Sequence, residues 1–231
     1  MDIQHFYALL TELFSTHLTI AQFSTAFYET AIMVCVSLLG GSLIGIPLGI
    51  SLVVTRPTGL LENKLFYQIA NLIINMLRSL PFIILLVAIL PLTRLIVGTS
   101  IGTSAAIVPL IIYISPYIAR LVENSLLEVN PGILEAAESM GATPLQIIRH
   151  FLLPEAFSSL ILTLTTATIG LIGATAMAGA VGAGGVGDLA ISYGYQRFDT
   201  AAILITVILL IFIVQAVQYL GNYFARKARH E

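Results

Sequence analysis

Five long apolar stretches alternate with polar breaks along this chain of 231 residues. They fall at about residues 27–54, 79–97, 101–119, 157–181 and 200–220. Each approaches or exceeds the roughly 20 residues that an α-helix needs to cross about 30 Å of hydrocarbon. The pattern predicts an all-α integral membrane protein with five transmembrane helices. The third stretch holds Pro109 and Pro116, tolerated in a membrane helix where neighbours satisfy the freed carbonyls. Residues 1–25 are mixed and partly amphipathic (Phe6, Leu9, Leu10, Leu13, Phe14) and can lie along a membrane surface. Residues 60–77 read as a short surface helix or as the entrance to the second stretch, which opens with Arg78-Ser79-Leu80-Pro81.

Composition sharpens this picture. Hydrophobic residues make up 58% of the chain and charged ones only 10%, against about 25% charged in an ordinary soluble domain. Too little polar surface remains to clothe a water-soluble body, so lipid must be the solvent for much of the chain. Tyrosines cluster near the ends of the apolar runs (Tyr28, Tyr67, Tyr193, Tyr195, Tyr219, Tyr223), where interfacial anchoring favours them. The lone Cys35 excludes an internal disulfide framework and reads as a buried, inert thiol. Residues 1–25 carry no Lys or Arg and do not fit a cleaved signal peptide.

Basic residues fix the expected orientation. With five crossings and the C-terminus in the cytoplasm, the inner side receives Arg56, Lys64, Arg78, Arg120, Arg149, Arg226, Lys227 and Arg229, and the outer side only Arg94 and Arg197. Cytoplasmic loops carry the excess of Lys and Arg, so the N-terminus is expected outside.

Residues 120–155 break the apolar pattern with seven charged residues. They read as two short helices and a turn. Ile133, Leu134, Ala137 and Met140 are spaced to share one helical face. Gly141 stops that helix, and Thr143-Pro144 starts the next as N-cap and first helical residue, with Leu145, Ile148 and Leu152 continuing the stripe. Ala136 and Ala137 leave the first helix slim enough to enter a groove on another protein. The residues alone leave two readings open, a docking helix and a helix lying on the bilayer surface.

Glu135-Ala136-Ala137, Gly141 and the closing Leu153-Pro154-Glu155-Ala156 resemble the "EAA" loop of permease subunits of bacterial ABC importers. Arg78-Ser79-Leu80-Pro81-Phe82-Ile83, Ile96-Val97-Gly98-Thr99-Ser100-Ile101-Gly102, Ala119-Arg120-Leu121-Val122-Glu123-Asn124 and Gly179-Ala180-Val181-Gly182-Ala183-Gly184-Gly185 narrow the resemblance to the permease family of the bacterial D-methionine importer, over roughly residues 27–222. The resemblance implies a type I ABC importer permease fold in a bacterial inner membrane. It divides the chain into an extracytoplasmic or interfacial segment 1–25, a permease domain 26–222 with a cytosolic coupling loop 121–155, and a basic tail 223–231. It implies a second copy of the chain, two cytoplasmic ABC ATPase subunits carrying ATP and Mg, and an extracytoplasmic substrate-binding lipoprotein. Glu135, Ala136, Ala137, Met140, Gly141 and Pro144 are then expected to couple to the ATPase, with Ala137 close to its surface. No catalytic residue and no cofactor are expected in this chain.

Small residues point to close helix packing. Gly41, Gly45 and Gly49 recur every fourth residue, and Gly170 and Gly173 sit on the fourth stretch; such faces let backbones approach. Other chemistry finds no support. The glycine-rich run 179–187 lacks a following Gly-Lys-Ser/Thr and reads as a bent backbone at the outer mouth. His5, His17, His150 and His230 are scattered without metal-ligand spacing, and basic residues are too few for nucleic acid. Glu29, Arg94 and Arg78 read as interfacial charges. A proton-coupled transporter would place a carboxylate mid-span, and none is found there. Another amino-acid permease, or a membrane scaffold recruiting a cytosolic protein, are the rival functions.

Overall fold

A computed structural model describes residues 18–229. The expectations for Phe6 to Phe14, His5, His17 and His230 lie outside the described residues. Every regular element among the described residues is helical. In chain order these are α1 (Ile20–Thr55), α2 (Lys64–Ser79), α3 (Phe82–Ala88), α4 (Leu90–Val97), α5 (Thr103–Leu127), α6 (Pro131–Ser139), α7 (Pro144–Ile147), α8 (Leu153–Glu155), α9 (Phe157–Gly179), α10 (Gly185–Leu189) and α11 (Thr200–Ala228). π-helical turns at Ile148–Leu152 and Ala190–Tyr195 link α7 to α8 and follow α10. Among the described residues, four helices are long and apolar enough to cross a membrane, α1, α5, α9 and α11, and the pair α2 with α3 makes up to five if it counts as one broken span.

Local chemistry sets the ends. α1 begins before the apolar run because Thr19 and Gln22 cap each other: the Gln22 N–H donates to Thr19 Oγ1 (3.3 Å), and Gln22 Oε1 accepts from the Thr19 N–H (2.9 Å). This reciprocal cap satisfies N–H groups that the first turn would leave bare. Asn63 starts α2 by accepting from the Phe66 N–H at 3.1 Å.

The second apolar stretch does not form one helix over 79–97. The helix is interrupted between α2 and α3 at Leu80-Pro81, since a residue before proline disfavours helical backbone. It breaks again at Ile89, ahead of Pro91. Pro91 has no N–H to donate to the Val87 carbonyl and its ring crowds that turn. Farther on, α5 runs to Leu127, past the expected end at 119, so Arg120 and Glu123 belong to the helix.

The described chain divides into two compact units. One comprises the stretch ending at Ser37, Phe82–Leu110 and Gly170–Ala216; the other Leu38–Pro81, Ile111–Ile169 and Val217 onward. In the second unit, Gly41, Gly45 and Gly49 are buried and α1 lies directly on α5. A Cβ at Gly45 would sit 2.7 Å from the Ser115 carbonyl oxygen and 2.8 Å from Ile118 Cβ; one at Gly49 would sit 2.6 Å from the Ala119 carbonyl oxygen. At Gly41 it would collide with Ile114. Ile114, Ile118 and Val122 are completely buried. In lipid no water is expelled by such contact, so fit and dispersion hold the seam, at about 0.1–0.2 kcal/mol for each well-placed atom pair. Only glycine allows that many pairs at this spacing. Leu52, Ile74 and Ala119, with Leu48, Tyr67 and Ala70, extend the core to α2.

The first unit is built on Leu18, Ala26, Val186, Leu189 and Ala202, with Phe23, Tyr193, Leu209 and Leu210 packed on them. Large apolar side chains such as Leu39, Leu43 and Phe212 are exposed, as suits a surface in contact with lipid. Cys35 is exposed on α1, which corrects the expectation of a buried thiol. Val36 and Leu39 on the same helix are exposed as well.

Candidate coupling corner and glycine turn

The polar stretch 128–156 folds into a corner with a defined stop and start. Asn130 caps α6 by accepting from the Gly132 N–H at 2.9 Å, and Pro131, which has no N–H to lose there, occupies the first helical position. The helix ends at Gly141, whose φ of +80° is a left-handed conformation open to glycine at little cost. The Gly141 N–H donates to the Glu138 carbonyl (2.9 Å) and the Ala142 N–H to the Ala137 carbonyl (3.1 Å), the paired bonds of a Schellman stop. Three residues later α7 begins. Gln146 Oε1 reaches back to accept from the Thr143 N–H (2.8 Å) and hydroxyl (3.0 Å), and Pro144 takes the first helical position. Stop and start share residues 137–146, so the angle between α6 and α7 is set by hydrogen bonds on both sides.

The structure corrects which side chains this corner presents. Ala137 was expected next to a partner; it is completely buried within its own chain. Ile133 and Leu134 are half-buried, while Glu135, Ala136 and Glu138 face outward. The protruding apolar groups are Met140, 71% exposed, and Leu145, 72% exposed, on either side of Gly141. Pro144 is half-buried beneath them. The expected stripe Leu145, Ile148, Leu152 is also corrected. Ile147 and Leu152 are the buried pair, five residues apart. The π-helical turn over Ile148–Leu152 carries an extra residue and moves the buried face off the 3.6-residue period.

The second polar feature is the glycine-rich run, described within its own unit. α9 ends in another Schellman stop: the Gly182 N–H donates to the Gly179 carbonyl (3.0 Å) and the Ala183 N–H to the Ala178 carbonyl (3.2 Å), with Gly182 at φ +81°. Gly184 and Gly185 are left-handed too. A side chain at Gly179 would run into the backbone of Gly187 and Asp188, and one at Gly187 into the backbone of Ala176. Four bonds staple this turn to distant segments. Glu29 Oε2 accepts from the Gly185 N–H (2.7 Å) and Thr30 Oγ1 from the Val186 N–H (2.9 Å). The Gly102 N–H donates to the Gly182 carbonyl (3.0 Å) and the Thr103 hydroxyl to the Ala183 carbonyl (3.1 Å). Glu29, read from sequence as an interfacial charge, is thus tied to the turn. Thr30, Gly102 and Thr103 were missed, because only tertiary folding brings them to residues 182–186.

Of the glycines expected to pack helices, Gly41, Gly45 and Gly49 lie on α5 as described. Gly170 is half-buried. Gly173 meets nothing within 4 Å; it lines an open apolar cleft with Ala176, Ala180, Gly187 and Ala190. Among the described residues, no group of three His, Cys, Asp or Glu side chains is placed to hold a metal ion.

Known proteins match this architecture and sequence. A chain from the inward-facing MetNI methionine ABC transporter superposes with a TM-score of 0.90 at 44% identity, covering 93% of this chain and 99% of that one. An amino acid ABC transporter structure, solved with histidines, superposes at TM-score 0.72 with 19% identity, a likeness of fold alone. The probable D-methionine transport system permease protein of Vibrio cholerae is 49% identical over 206 residues, 89% of this chain and 92% of its own length. The D-methionine transport system permease protein of Escherichia coli K12 is 51% identical over 152 residues, 66% of this chain and 70% of its own. The family described as binding-protein-dependent transport system inner membrane component matches residues 41–230, and this chain belongs to that family.

Proposed function

We propose that this chain is the transmembrane permease subunit of an ATP-driven importer for methionine, in its L- and D-forms. The observation that carries the reading is the 49% identity to the Vibrio cholerae methionine permease along nearly the whole of both chains. Two copies form the passage, with the open face at Gly173 meeting the second copy. An extracytoplasmic binding protein delivers substrate. ATP and Mg are bound, and ATP hydrolysed, by two cytoplasmic ATPase subunits; this chain supplies no catalytic group. There are five crossings, the fifth made by the broken stretch 64–97. The basic residues put the N-terminus outside and the C-terminus in the cytoplasm.

Glu135, Ala136, Met140, Gly141 and Pro144 form the contact with the ATPase, and Ala137 holds α6 against the body of its own chain. Exposed Met140 and Leu145 on a hydrogen-bonded corner support this assignment. A rigid corner between two helices passes a push from the ATPase to α5 and α9 with little lost in bending. The test reconstitutes the permease with its ATPase and binding protein in liposomes and follows labelled methionine. ATP-dependent accumulation of methionine, abolished when the binding protein is omitted, is the expected result. Accumulation of another amino acid with none of methionine would overturn the substrate, and accumulation without ATP would overturn the mechanism.

A further inference from the structure

The described residues bury one ion pair, and it lies four residues before the end of α5. Glu123 is 3% exposed, and its Oε2 accepts from Arg120 Nη1 at 2.5 Å. A buried charge in an apolar protein is expensive and persists where it is paired and used. The Arg120 guanidinium does more than neutralise Glu123. Its other terminal nitrogen, Nη2, donates to Asn75 Oδ1 at 3.0 Å and to Asn71 Oδ1. Asn71 and Asn75 are four residues apart on α2, so they share one face of that helix. One planar fork therefore grips two successive turns of α2 while its root stays on α5. Arg120 Nε, also buried, finds no acceptor among the described residues.

This geometry has a mechanical reading. α5 leads through Val129 into α6, the helix assigned above to the ATPase contact. α2 leads through Leu80-Pro81 into α3. Ile74 of α2 and Ala119 of α5 also share an apolar cluster with Leu52, but apolar packing carries no hydrogen bond that fixes the register of one helix on the other. A charged fork on two amide oxygens does, since Arg presents its donors in a fixed plane. We infer that Arg120, held by Glu123, is a positioning residue for transport: it locks α2 to α5, so that movement of the coupling corner reaches α3 instead of being lost by slip between the two helices. The inference rests on the coupling role proposed for α6.

The experiment uses the assembled complex of permease, ATPase and binding protein in liposomes, and reads methionine transported per ATP hydrolysed. Asn71→Ala with Asn75→Ala removes the α2 acceptors and leaves the Arg120–Glu123 pair intact. Arg120→Lys keeps the charge beside Glu123 and removes the fork. Both should retain the wild-type amount of co-purified ATPase and hydrolyse ATP within about two-fold of wild type. Methionine moved per ATP should fall at least about five-fold in both. A purely structural role would lower yield and melting temperature while the surviving complex kept its wild-type ratio, and that result overturns the inference. So does loss of ATPase from the variant complexes, or a parallel fall in hydrolysis and transport. Failure of the wild-type chain to bind the ATPase at all would instead sink the coupling reading on which the inference stands.

Discussion

Two helices of this protein stop in the same way, and the turns that follow them are held very differently. α6 ends at Gly141 and α9 at Gly182, each with a left-handed glycine and the same pair of backbone bonds. Beyond Gly141, the stabilising bonds come from within residues 130–146. A Cβ at Gly141 would meet nothing within 4 Å. Beyond Gly182, Glu29, Thr30, Gly102 and Thr103 all reach in from elsewhere, and a Cβ at Gly185 would lie 2.7 Å from Thr30 Oγ1 and 2.9 Å from Met33 Cε. The first turn is a self-contained part offered to the outside. The second is locked into its surroundings. The same local motif is left to its own hydrogen bonds in one place and stapled to distant segments in the other, and the difference lies in the number of long-range bonds.

The contrast breaks most visibly by adding a methyl group to each turn. Gly185→Ala combines left-handed strain with overlap on Thr30 and Met33, and should cost about 3 kcal/mol, read as a drop in detergent melting temperature. An unchanged melting temperature would mean that the turn is not locked. Thr30→Val comes next. It removes the acceptor of the buried Val186 N–H and should cost about 2 kcal/mol, with exchange of that amide accelerated in hydrogen-exchange measurements. Gly141→Ala meets strain alone, about 1 kcal/mol, and Gly141→Asn should recover part of it because Asn tolerates the left-handed region. Equal losses for Gly141→Ala and Gly185→Ala would erase the difference between the two turns.

The smallest effect concerns a third turn, between α1 and α2. Thr58 is left-handed there without being glycine, at φ +65°, and Glu62 Oε2 accepts from its N–H at 3.1 Å. That bond, with Lys64 beside it, holds the Glu62 carboxyl below its usual range. A depressed folded value means that the contribution is present above the ordinary carboxylate pKa and lost as pH falls through the lower folded one. Acidification below about pH 4 should therefore lower the protection of the Thr58 amide relative to its intrinsic exchange rate at each pH, and Glu62→Gln should remove this pH dependence.

Features governed by neighbours along the chain were legible in the sequence. Gly141 and Thr143-Pro144 announced the corner, and the spacing of Gly41, Gly45 and Gly49 announced a close-packed face. The Thr19–Gln22 cap and the break ahead of Pro91 were not read from the sequence, because neither changes how apolar the stretch is. The orientation of Ala137 was not legible. Helical spacing groups Ile133, Leu134, Ala137 and Met140 without saying which of them the chain itself covers. The π-helical turn after α7 hid the burial of Ile147 and Leu152 for a related reason, since its period is not the one that the pattern assumes. Asn71, Asn75, Arg120 and Glu123 carried a faint signal, two polar pairs at helical spacing, whose meeting depends on the packing of α2 against α5.

The seam of α1 on α5 also bears on how the chain is made. α1 is synthesised before α5, and its groove at Gly41, Gly45 and Gly49 stays unfilled by α5 until α2, α3 and α4 have followed. A bare glycine groove is harmless in lipid, because every backbone hydrogen bond of a helix is already closed within it and lipid chains can cover it for the interval. The arriving residues, Ile114, Ile118 and Val122, are all branched at Cβ and nearly confined to one rotamer in a helix. They enter the groove already in shape, so little side-chain freedom is surrendered at that step. The order of synthesis and the choice of side chains together let the nascent protein wait for its partner helix without settling on a wrong one.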